Sequence, residues 1–170
     1  MCTGNEFAAP VTPAARSASG AGPSADLEKG TTVDLIVLIG RILFSAMFIS
    51  SGIAHFRNAG MMGGHAQSKG VPAAKPAVLG SGALILAGGL SVLLGVWADL
   101  GALLVLIFLV PTALLMHDFW KQSDPMAKQG ERSQFFKNVS LAGAALMLFA
   151  FFAHTPDLGL TLTGPLFHLR

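Results

Sequence analysis

Three short polar clusters, at residues 55–56, 117–120 and 137–138, stand at the ends of apolar stretches. Their imidazole and amide groups can hydrogen-bond the carbonyl oxygens of a quinone or of a similar small polar-headed lipid, while the neighbouring aromatic rings flank its ring. A second interpretation makes them interfacial side chains, with the histidines bonded to each other, to Asp118 or to water beside an aromatic belt. His55, His117 and Asp118 could also bind a metal by residue type, although their spacing matches no metal motif.

Other chemistries have little support in this sequence. Cys2 is the only cysteine, so we expect no internal disulfide, no Cys-x-x-Cys redox pair and no thiolate cage for zinc or iron–sulfur. Electron transfer would therefore need a bound quinone or a partner subunit. The serines lack a nucleophile elbow, and the glycines at 60–64 lack the Lys-Ser/Thr ending of a phosphate loop. We predict no self-contained catalysis and no catalytic residue.

The polar clusters are held by four apolar stretches, near residues 35–56, 76–96, 100–117 and 138–153. A hydrocarbon core about 30 Å thick needs roughly 20 helical residues, so these stretches are typical of membrane-spanning helices. Hydrophobic residues make up 52% of the chain and charged residues only 12%, which favours a membrane protein over a soluble domain and gives no indication of nucleic-acid binding. The prediction is an all-α integral membrane four-helix bundle.

The expected organisation has three parts. Residues 1–33, rich in Ala, Pro, Ser and Gly, form a disordered N-terminal tail, because they cannot bury enough apolar surface to offset the entropy of ordering. Residues 34–153 form the membrane domain, and residues 154–170 form a C-terminal tail. The segments 57–75 and 118–137 are predicted polar loops.

One face of the first helix is polar or small. At 100° per residue, a single stripe contains Arg41, Ser45, Phe48, Gly52 and His55, and it should face the bundle. A lipid-facing Arg41 would cost about 3 kcal/mol or more, and Asp34 and Asp99 are its candidate partners.

The second and third helices carry packing signals. Small residues recur every four positions in the second helix, which permits close approach of another helix; they are Ala83, Ala87, Ser91 and Gly95. In the third helix Pro111 predicts a kink, and the Thr112 hydroxyl can donate to a freed carbonyl.

Four antiparallel helices would bring the end of the first, the end of the third and the start of the fourth to one membrane face. Polar or ionisable groups at membrane depth are functional candidates because burying them requires partners. The predicted polar ligand-binding site comprises Arg41, His55, His117, Asp118 and Asn138.

The balance of basic residues predicts orientation. Seven Lys and Arg residues lie in the two segments after the first and third helices, against three in the segments on the other side of the membrane. The positive-inside rule then places both termini outside the cytoplasm.

Several segments of this sequence, by their order and spacing along the chain, resemble the DoxX family of small membrane proteins. The resemblance runs over about residues 34–153 and rests on Arg41, the ending at 51–56, the small residues at 88–95, the run from 108 to 120, and residues 136–138. It implies a four-helix bacterial inner-membrane protein. Many relatives carry an acidic residue in the second helix, whereas this chain has only apolar and small residues around Ile85.

The resemblance also implies a redox connection, because the family takes its name from a subunit of a thiosulfate:quinone oxidoreductase. We therefore expect an accessory subunit of a quinone-linked redox or oxidative-stress assembly, with quinone as a possible ligand and a membrane or peripheral redox partner. Two alternatives stay open: a structural scaffold that holds partner proteins or forms oligomers through small-residue helix faces, and a small-molecule carrier.

Overall fold

The computed structural model describes residues 23–155 and 158–169 and contains five helices joined by short turns. These are α1 (Pro23–Arg57), α2 (Ala59–Ser68), α3 (Ala74–Leu94), α4 (Ala98–Met116) and α5 (Pro125–His154), with a 3₁₀ turn at Phe119–Lys121. Over the described ranges, four of the helices are long and apolar enough to cross a membrane, and only α2 is too short. The predicted all-α membrane four-helix bundle is therefore confirmed.

Three boundaries differ from the sequence expectation. α1 begins at Pro23, so residues 23–33 are helical where a disordered tail was predicted, whereas residues 1–22 lie outside the described residues. α2 occupies most of the predicted first loop. α5 begins at Pro125 because Asp124 Oδ2 accepts a hydrogen bond from Ala127 N at 2.7 Å and proline takes the first helical position, where its missing N–H needs no partner.

The bundle core draws a side chain from every spanning helix. α1 packs on α3, α3 on α4, and α4 on α5. The central buried cluster consists of Phe48, Ile85, Val105, Leu109 and Ala145. Large apolar side chains on the outer surface are exposed, Leu43 at 70% and Met147 at 70%, which suits contact with lipid chains and not with water.

Close helix packing relies on glycines beside the predicted small-residue row. A Cβ on Gly82 would lie 2.7 Å from His55 Cβ, and one on Gly88 would lie 2.9 Å from the Gly101 carbonyl oxygen. The predicted row itself divides into two parts. Ala83 and Ala87 are exposed on the outside. Ser91 lies in the last turn of α3, and Gly95 begins the turn that joins α3 to α4.

Residues 158–169, here called the C-terminal strap, fold back across the end of the bundle that holds this turn. Thr163 N donates to the Gly95 carbonyl at 3.0 Å and Leu169 N to the Ala153 carbonyl at 3.1 Å. Phe167 N donates to Asp99 Oδ2 at 2.6 Å. The described part of the predicted tail is therefore bonded to the membrane domain.

Candidate functional site

The polar stripe of α1 faces the bundle as predicted, and all five of its residues are buried. The stripe also extends along the helix axis. Arg41 and His55 are 14 positions apart, which corresponds to about 21 Å at 1.5 Å per residue. The two residues therefore share a face but lie near opposite ends of the bundle.

Arg41 belongs to the strap end and not to the group around His55. Its guanidinium donates to the backbone carbonyls of Val92 at 2.8 Å, Leu93 at 2.6 Å and Leu160 at 2.7 Å. The first two are carbonyls at the C-terminal end of α3, where helical partners are lacking. These bonds replace the carboxylate partners expected from the sequence. The structure thus separates Arg41 from the other four predicted site residues.

His55 lies at the far end of α1, beside α3 and α4. Its Nδ1 is 2.7 Å from the Ser51 carbonyl, and because a carbonyl only accepts, Nδ1 carries the hydrogen. Nε2 makes no hydrogen bond within the described chain. It is therefore an acceptor in the neutral ring and a donor in the charged ring. The ring packs edge-on against Phe108, with centroids 5.8 Å apart.

His117 and Asp118 belong to an ion-pair group after α4. His117 Nδ1 is 2.8 Å from Glu131 Oε2. Asp118 is 5% exposed and bonds Lys69 through one oxygen, while its other oxygen is 3.2 Å from Lys121 Nζ. The sequence predicted both residues at this level but missed their partners, which come from the α2–α3 turn, the 3₁₀ turn and α5.

Asn138, on α5, completes the group at this end. It is 7% exposed, and its Nδ2 donates to the Gln134 carbonyl at 3.0 Å. This bond assigns the amide orientation, since a carbonyl cannot donate. The second N–H and the side-chain oxygen make no hydrogen bond among the described residues. Asn138 can therefore both donate to and accept from a ligand.

A cavity of about 910 Å³ joins His55, His117 and Asn138, whereas Asp118 and Arg41 do not line it. Its polar lining groups are Ser51, His55, His65, Ser81, Thr112, His117, Lys137 and Asn138, and the rest of the wall is apolar. Ile107 and Leu115 line it yet are 52% and 53% exposed, so the cavity opens to the lipid-facing surface. Such a space suits an amphiphile that enters sideways from the bilayer.

The third spanning helix contributes its proline turn to the cavity wall. Thr112 Oγ1 donates to the Phe108 carbonyl at 2.8 Å, one residue after the Ile107 carbonyl whose helical partner Pro111 removes. The predicted hydroxyl bond therefore forms, to the neighbouring carbonyl. Pro111 and Thr112 both line the cavity.

Sequence reasoning missed α2 as a wall of this site. Met62, His65 and Ala66 of α2 line the cavity, and Ala66 packs with Ala74 and Val78 at the base of α3. The sequence signal for this helix was a run without proline between Ala59 and Ser68. That signal is weak, because five of its residues are Gly or Ala and its apolar face is short. In the described part of the chain, no three His, Cys, Asp or Glu side chains are grouped to hold a metal.

Most of the helices that line this cavity are similar to a known family. A family model described as DoxX matches residues 36–118, from α1 to two residues past the end of α4. This confirms the resemblance over α1 to α4, while its continuation at residues 136–138 lies beyond the match. No curated protein and no solved structure matches the chain.

Proposed function

Because a DoxX family model matches residues 36–118 of this integral membrane protein, we propose that the chain is a noncatalytic accessory subunit of a quinone-linked redox or oxidative-stress assembly. The large cavity would hold the quinone. The observation that carries this proposal is that His55, whose Nε2 has no hydrogen-bond partner in the described chain, and Asn138 line one largely apolar cavity that is open to lipid. Ligand sites combine a mainly apolar wall with a few such convergent polar groups.

The donors and acceptors suit both redox forms of a quinone head group. A neutral His55 presents an acceptor that fits a hydroxyl, and Asn138 offers an N–H that fits a carbonyl oxygen. Phe108, packed against the His55 ring, supplies an apolar surface for the head group. A quinone accepts and releases electrons, and the chain's own residues bind and orient it and exclude water. His55 Nε2 would accept a hydrogen bond from a quinol hydroxyl.

Ligand binding tests the proposal directly. Purified protein in nanodiscs is titrated with a short-chain benzoquinone, and His55→Ala is expected to weaken binding about tenfold, the value of one or two hydrogen bonds. His117→Ala should weaken it less, because His117 is already bonded to Glu131. His168→Ala, on the exposed strap, is the matched control. Absence of binding to the wild type, or equal binding to His55→Ala, would overturn the proposal.

A scaffold role is the second candidate, favoured by the exposed small residues Ala83 and Ala87 on α3. A partner helix can pack closely on such a face. Copurification of a partner that Ala87→Leu releases, together with no quinone binding, would support the scaffold. A carrier would instead show flux in sealed vesicles, and we expect none.

We also propose that the protein lies in the inner membrane with both termini outside the cytoplasm. The support is the excess of Lys and Arg in the segments after α1 and α4. Basic residues near span ends favour the cytoplasmic side.

A further inference from the structure

A second, smaller cavity lies at the base of α5, apart from the large one. Its volume is about 340 Å³, and its lining residues are Phe119, Pro125, Lys128, Gln129, Arg132 and Phe136. The five residues from α5 follow one another at steps of three or four positions, apart from Gln129, and therefore share one helix face. Phe119 of the 3₁₀ turn forms the opposite wall.

Both charged side chains that line this cavity are basic. Lys128 and Arg132 are exposed and four positions apart, a spacing at which like charges repel. No acidic residue lines the cavity. Three acidic residues lie close to the lining residues in sequence. Asp118 and Glu131 are bonded to the lysines and the histidine of the ion-pair group, and Asp124 Oδ2 accepts a hydrogen bond from Ala127 N. Within the described residues, neither Lys128 nor Arg132 has an ion-pair partner.

Aromatic side chains place this cavity at the membrane interface. The Phe119 ring lies 5.2 Å from Trp120 and 5.4 Å from Phe135, and the Arg132 Cζ lies 5.8 Å over the Phe136 ring. Trp120 is half exposed, as expected for an aromatic belt at the head-group level. Phe136 in the cavity wall and Val139, three positions further along α5, are both exposed apolar residues.

We propose that this cavity binds the phosphate of an anionic phospholipid. Two cations close to the head-group level attract an anionic lipid. The Arg132 guanidinium can engage two phosphate oxygens at once, and the Gln129 amide adds a neutral donor. Phe136 and Val139 offer an apolar path for the acyl chains. The site is independent of the quinone proposal, since the two cavities share no lining residue.

The test compares charge-matched double variants of the full chain in detergent. Lys128→Gln with Arg132→Gln removes the two cavity cations, and Arg57→Gln with Lys75→Gln removes two exposed cations at the same end of the bundle. Native mass spectrometry with short-chain phosphatidylglycerol should show affinity lowered about tenfold or more in the first variant and little changed in the second. Arg132→Lys keeps the charge and should give an intermediate loss.

Three results would overturn the site. Equal losses in the two double variants would show general surface charge and no built site. Equal binding of short-chain phosphatidylcholine would show that the cavity does not distinguish phospholipids by their net charge. Equal binding of inorganic phosphate would assign the cavity to a free anion and not to a lipid. Thermal unfolding of each variant establishes that the bundle is intact in every comparison.

Discussion

At the scale of single residues, Gly82 sets the position of the His55 ring. The α3 backbone approaches α1 so closely that a Cβ at Gly82 would lie 2.7 Å from His55 Cβ, a distance that requires the helices to move. Gly40, in the middle of α1, faces open space with no atom within 4 Å of a built Cβ, and it does not line the large cavity. Alanine substitutions at the two glycines therefore separate the effect of helix propensity on stability from the effect of packing.

We predict that Gly82→Ala destabilises the protein by about 1–3 kcal/mol, the usual cost of overpacking, and weakens benzoquinone binding by displacing His55. Gly40→Ala should be neutral or stabilising, because alanine is favoured over glycine inside a helix by about 1 kcal/mol. Thermal unfolding in detergent and quinone titration measure both effects. Equal midpoints for the two variants would contradict the close contact.

At the scale of elements, Arg41 joins the end of α3 to the C-terminal strap. Its three hydrogen bonds reach carbonyls 51, 52 and 119 positions away in sequence. Hydrogen bonds to charged groups contribute about 1.5–3 kcal/mol each, and removing one partner leaves the others unsatisfied. The strap also depends on Asp34, which accepts from Gly159 N at 3.2 Å.

We predict that Arg41→Met loosens the strap. Hydrogen–deuterium exchange of the amides at Gly159, Thr163 and Phe167 should quicken about tenfold or more, since a loss of 1.4 kcal/mol already gives a factor of ten. Arg57→Met, at the exposed end of the same helix, is the control and should leave these amides protected. Unchanged exchange after loss of Arg41 would show that the strap is held by its other bonds alone.

At the scale of the whole molecule, the two ends of the bundle differ in chemistry. One end carries the ion-pair group, the aromatic cluster and both cavities, and the other is closed by Arg41, Asp99 and the strap. The structure places the two basic connecting segments at the same end, as the orientation argument requires. Which side of the membrane that end faces follows from charge alone.

We predict that a reporter enzyme active only outside the cytoplasm is active when fused after Arg170. A fusion that ends after Lys121 should be inactive, because that position lies at the basic end. Activity of a cytoplasmic reporter after Arg170, with the reverse pattern at Lys121, would invert the orientation. Both fusions are compared at equal expression in intact cells.

Several features of the fold and site are determined by the sequence alone. Hydropathy locates the four spans, and the 3.6-residue period identifies the buried face of α1, because both signals are local. The level shared by His55, His117, Asp118 and Asn138 follows from antiparallel helices of similar length. The Asp124-Pro125 pair also marks the start of α5 through capping chemistry, although the predicted fourth helix began only at residue 138.

Only the tertiary structure decided which polar groups meet. The helical period gives direction around an axis but no height relative to other helices, so Arg41 and His55 share a stripe while lying about 21 Å apart. The partners of Arg41 and Asp99, and the Lys69 partner of Asp118, come from distant segments. Such pairs depend on how the helices dock and how the strap returns. The two cavities are likewise spaces between elements, which exist only once those elements have packed.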